Sequence, residues 1–94
     1  MNEIKLYEKA INKWGELSQI LVAIEEMSEL QKELCKLDRC KTILSKETQI
    51  RRIADEIADV SIMIEQLVHI FNFYELVREK KIFKLNRLKE RLDL

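Results

Sequence analysis

Apolar residues recur along this chain at spacings of three and four, the repeat of a helix buried along one side. Ile4, Tyr7, Ile11 and Trp14 set a first helix over residues 3–14, and Gly15 breaks it. From 16 to 38, Leu17, Ile20, Leu21, Ile24, Met27, Leu30, Leu34 and Leu37 form a nearly continuous stripe that reads as core. The pattern weakens between Leu37 and Lys46, where Ser45, followed by Glu47 and Thr48, offers an imperfect start signal for the next helix. A third helix over 46–72 places Ile50, Ile53, Ile57, Val60, Ile64, Leu67 and Phe71 on its buried side, with Asn72 marking its end. A fourth over 74–92 has Leu76, Ile82, Leu85, Leu88 and Leu92 on one side and lysines and arginines on the other. The pattern predicts an all-α fold, an antiparallel four-helix bundle built by residues 1–94 as a single domain, with no internal repeat, low-complexity tract or linker.

Composition agrees with long uninterrupted helices, since proline is absent and Gly15 is the single glycine. A chain of 94 residues buries a small share of its surface, and the apolar stripes exceed what one bundle face covers, so the expectation is a homodimer or homotetramer. Seventeen basic residues balance seventeen acidic ones, which leaves no global positive field to draw the protein to nucleic acid or an anionic membrane. No apolar stretch reaches the roughly 20 residues that cross a bilayer. Met1 to Leu6 lacks the pattern of a signal peptide, and Cys35 and Cys40, too few for a disulfide framework and without zinc-ligand spacing, read as reduced thiols. The expected location is cytoplasmic.

Against this background two acidic pairs stand out. Glu26 and Glu29 are three apart on the second helix, and Glu56 and Asp59 are three apart on the third, so each pair shares one helical face and repels itself. If the two helices pack antiparallel, the pairs converge, and a divalent cation relieves the repulsion. An all-oxygen donor set suits hard ions, with magnesium first and manganese as a substitute, and magnesium in such sites commonly bridges to substrate phosphates. Taken singly, each pair reads as a solvated helix face; taken together, they read as a metal site.

The segment Trp14-Gly15-Glu16-Leu17-Ser18-Gln19 leading into Glu25-Glu26-x-x-Glu29-Leu30, followed by Glu56-x-x-Asp59-Val60, resembles the MazG-like all-α NTP pyrophosphohydrolases. The likeness extends through Ser61 to Leu67 and the basic ending Lys84 to Leu92, covering most of the chain. The resemblance implies hydrolysis of a nucleoside triphosphate between its α and β phosphates, to the monophosphate and pyrophosphate. It assigns Glu26, Glu29, Glu56 and Asp59 as metal ligands. Glu25, about 100° round the helix from Glu26, either orients or deprotonates the attacking water or faces solvent.

Gln19 and Arg52 share the stripes of the two carboxylate pairs, and the resemblance makes them candidates for contacting nucleoside and phosphate; the alternative for Arg52 is an ion pair with Glu56. Glu33 lies on the same stripe and reads as a solvent-facing charge rather than an outer member of the site. Residues Arg78 to Leu94 hold seven basic side chains against three acidic, with Lys84, Arg87 and Arg91 on one face. By the resemblance, Lys84 and Arg87 bind the phosphates. His69 reads as structural and Trp14 and Tyr7 as core. A competing function is a non-catalytic helical oligomer or adaptor whose acidic pairs form interchain salt bridges with the basic fourth helix.

Overall fold

The computed structural model describes all residues from Met1 to Leu94. It is all-helical: α1 spans Glu3–Trp14, α2 Glu16–Lys36, α3 Ile43–Phe71 and α4 Tyr74–Arg91, with a short 3-10 turn at Leu37–Arg39. None of these helices is long and apolar enough to cross a membrane.

Local chemistry sets the ends. Asn2 caps α1 by accepting from the Lys5 N–H at 2.9 Å, which satisfies one of the free donors of the first turn. Gly15 separates α1 from α2 at φ 93° and ψ 153°, a backbone region that side chains other than hydrogen rarely tolerate. The start of α3 lies three residues before the expected position. Thr42, rather than Ser45, is the cap: Thr42 Oγ1 accepts from the Ser45 N–H at 3.0 Å, and Ser45 Oγ accepts from the Thr42 N–H at 3.2 Å. Serine takes the third-position role usually filled by glutamate or glutamine in this reciprocal box, which is why the sequence signal looked imperfect. Asn72, in the left-handed region at φ 50°, ends α3 as expected.

Packing departs from the expected bundle. The antiparallel pair α2 and α3 forms the body of the molecule, and α1 lies across both. By contrast, α4 touches only α3, to which the Asn72–Phe73 turn joins it, and every residue from Tyr74 onward is exposed. A single chain therefore closes three helices and leaves the fourth projecting, in keeping with its 44 × 40 × 24 Å extents. The stripe residues Leu17, Leu21, Ile24 and Leu34 of α2, and Ile50, Ile57, Ile64 and Phe71 of α3, are exposed rather than core. Each helix carries an apolar arc wider than one neighbour can cover, and α4 does not fold back to cover the remainder.

The interior is half polar. Ala23, Ile53, Val60 and Met63 are its apolar members, and Gln19, Glu33, Gln49 and Gln66 are buried beside them. On α2 the polar positions run Gln19, Glu26, Glu33 at intervals of seven; on α3, Gln49 precedes Glu56 and Gln66 follows Asp59 by seven. Antiparallel pairing stacks these into three layers. At one end Gln19 Nε2 donates to Gln66 Oε1 at 2.7 Å, at the other Gln49 Nε2 donates to Glu33 Oε2 at 2.6 Å, and the acidic residues lie between.

Candidate metal centre

In the middle layer, carboxylate oxygens of Glu26, Glu56 and Asp59 all lie within 4.8 Å of one another. Glu26 and Glu56 are half-buried and Asp59 is exposed, so the cluster opens to solvent on one side. No basic side chain pairs with it. The chain's two ion pairs lie elsewhere, Lys36 to Glu33 at 3.3 Å and His69 to Glu8 at 3.6 Å. One oxygen, Glu56 Oε2, is buried without any hydrogen-bond partner. A buried acceptor with an uncompensated charge is costly, and a cation is the group that would satisfy it.

Electrostatics carry the same signature. Burial, and after it the charges of Asp59, Glu56, Glu25 and Glu29, push the Glu26 carboxyl above its ordinary value. Glu56 is pushed up by burial first, then by Asp59, Glu29, Glu33 and Asp55. The residues fit a hard divalent ion, because all donors are carboxylate oxygens and magnesium completes its shell with water or phosphate. Glu29 stands at the rim: it is exposed and outside the close triad, while its charge acts on both Glu26 and Glu56. Glu25 is exposed next to Glu26.

The remaining sequence candidates divide. Arg52 makes no ion pair with Glu56; it is exposed, and its charge helps hold Glu33 ionised. Gln19 is only 4% exposed, with its amide engaged by Gln66. Lys84 and Arg87 lie on α4, which meets neither α1 nor α2, so one chain does not bring them to the carboxylates.

Glu33 is a correction to the sequence reading, since it is buried rather than solvent-facing. Its carboxyl is held below the usual range by the Gln49 hydrogen bond first, with Lys36 and Arg52 adding to the effect against burial. Gln49 and Gln66 escaped the sequence analysis. Their seven-residue offsets from Glu56 and Asp59 were the available signal. Trp14 is also not core: it is 56% exposed, with Lys13 Nζ 5.4 Å from its ring centroid. Tyr7 donates its hydroxyl to Glu65, which ties α1 to α3. Compared with known protein families, with curated proteins and with solved structures, the chain matches none.

Proposed function

We propose that this protein is a magnesium-dependent nucleoside triphosphate pyrophosphohydrolase of the MazG-like kind, converting an NTP or dNTP to its monophosphate and pyrophosphate. The observation that carries the reading is the unpartnered, buried Glu56 Oε2 inside a carboxylate triad with which no basic side chain forms an ion pair. Glu26, Glu56 and Asp59 would hold the ion, with Glu29 at the rim available to it. When bound, magnesium supplies charge neutralisation at phosphate oxygens and acidifies a coordinated water.

The chain's own groups do the rest. Glu25, exposed at the edge of the cluster, accepts the proton of the attacking water. Arg52 stands one turn before Glu56 and binds a phosphate oxygen. The Glu33–Gln49 hydrogen bond at the neighbouring layer of the α2/α3 interior fixes the register that brings Glu56 to the cluster, where it would hold the ion. Lys84 and Arg87 bind the departing pyrophosphate, which requires a homodimer or homotetramer that brings α4 to the acidic face.

A second reading, a non-catalytic helical oligomer with α4 salt-bridged to these acids, is favoured by one observation: no ion pair within the chain involves α4. An assay separates the two. Purified protein is incubated with magnesium and a panel of NTPs and dNTPs, and monophosphate and pyrophosphate are quantified, with Glu56→Ala as control. Pyrophosphate release that the substitution abolishes supports the hydrolase. No turnover with any nucleotide, together with no magnesium-induced rise in melting temperature, supports the adaptor.

A further inference from the structure

α1 covers the Gln66 end of the α2/α3 interior with little to hold it there. None of its residues is buried, and Ile4, Leu6 and Trp14 are each more than half exposed. A cavity of about 510 Å³ lies between α1 and the α3 residues Ile62 and Gln66. A second, of about 410 Å³, lies between α1, Ile64 and Val68 of α3, and Tyr74 at the start of α4. Elements with so few buried apolar contacts are the ones that open locally, ahead of the rest of a fold. The joint is equally permissive. Gly15 is the one residue between α1 and α2, and without a Cβ it turns through backbone regions closed to other residues. Nothing lies within 4 Å of the place a Cβ would take.

Two polar contacts fasten α1 to α3. Tyr7 donates its hydroxyl to Glu65, and Glu8 meets His69 Nε2 at 3.6 Å. The second is an ion pair only while His69 is protonated, and imidazole is the side chain that gains and loses its charge between about pH 5 and 8. The surroundings of His69 are one-sided. Glu3, Tyr7 and Glu8 stand around it from α1, Glu65 from α3 and Tyr74 from α4, with no lysine or arginine among them. Tyr7, pushed up to about 12 first by its hydrogen bond to Glu65, keeps its proton throughout that range, so this contact persists while the other changes.

We infer that α1 is a proton-latched flap: hinged at Gly15, it closes over the Gln66 end of the interior when His69 is charged and opens more often when it is not. What opens is the layer next to the acidic one, since Gln66 follows Asp59 by seven residues and Gln19 precedes Glu26 by seven. Rising pH therefore widens access to that end of the interior. The device stands whether or not the protein hydrolyses nucleotides.

Hydrogen exchange reads the flap directly. A detached helix of 12 residues is marginal in water, so its amides exchange whenever it lets go. Amide protection is measured residue by residue in the full chain at about pH 6 and about pH 8, either side of the ordinary imidazole value, and corrected for the intrinsic rate at each pH. The expected result is lower protection over residues 7–14 than over the middle of α2 and α3. A further fall of about two- to fivefold should follow from the lower pH to the higher, the scale of one exposed ion pair. His69→Gln should hold α1 at its high-pH level at both values, while Tyr7→Phe should lower protection at both and keep the pH dependence. Protection of α1 equal to that of α2 and α3 overturns the flap, because α1 then opens only with the whole molecule. A pH response absent from the parent, or one that survives His69→Gln, overturns the latch.

Discussion

Gln19 donates its side-chain amide to Gln66 at 2.7 Å across the α2/α3 interior, seven residues from Glu26 on one helix and seven from Asp59 on the other. With Glu33 and Gln49 at the opposite end, it brackets the acidic layer between two satisfied polar pairs. A shift of one helix by a heptad would set an amide against the carboxylates and strand its partner, so the pairs fix the register that assembles the triad.

Gln66→Leu is expected to leave the Gln19 amide buried and unpaired, costing about 1–3 kcal/mol in urea unfolding. Joint replacement of Gln19 and Gln66 by leucine should recover most of that loss, because neither buried amide is then stranded. Equal losses in the double variant and in the sum of the singles would show that the two amides are not coupled.

The contribution of Glu26 and Glu56 to the stability of the metal-free protein should fall as pH rises. Glu26 and Glu56 carry folded-state values above the ordinary 4.5, so the folded chain holds their protons more tightly than the unfolded one, and the advantage disappears as pH passes upward through the raised values. Glu33 works in the opposite sense: its lowered value contributes stability above 4.5 that is lost as pH falls. Melts in a chelator should therefore show Glu56→Gln raising the midpoint near neutral pH, and added magnesium or manganese should stabilise the parent protein more than the variant.

Arg52→Ala, Lys84→Ala and Arg87→Ala should each lower kcat/KM about tenfold or more, the scale of one charge-assisted contact. None should abolish the magnesium-induced rise in melting temperature, because none supplies a ligand oxygen. Steady-state kinetics beside thermal melts distinguishes these residues from Glu26, Glu56 and Asp59, whose alanine variants should lose both.

Gly15→Ala should cost about 1–2 kcal/mol in chemical unfolding, from backbone strain alone. A methyl group there meets nothing within 4 Å, while φ of 93° remains unfavourable for any side chain. A neutral result would place the α1–α2 junction in a different conformation in solution.

Tyr7 is pushed up to about 12, first by its hydrogen bond to Glu65, then by burial and by the Glu65 and Glu3 charges. A raised folded-state value gives stability that is full below the ordinary 10.0 and lost as pH rises through about 12. Tyr7→Phe should remove that alkaline dependence and loosen α1, read as faster proteolysis within residues 3–14.

The sequence by itself determined the all-helical fold, because apolar spacing of three and four with no proline admits little else. It also named the members of the acidic cluster, since Glu26, Glu56 and Asp59 needed only helical geometry and an antiparallel hairpin to meet. Tertiary structure decided which faces found partners. Periodicity reports that Leu21, Ile57 or Trp14 lies on an apolar side of its helix, not whether another helix arrives to cover it, and in one chain none does. The same ambiguity hid Glu33 and Gln49, whose sequence neighbours resemble those of any solvated helix. They became interior residues only when α2 and α3 paired in one register, where each satisfies the other.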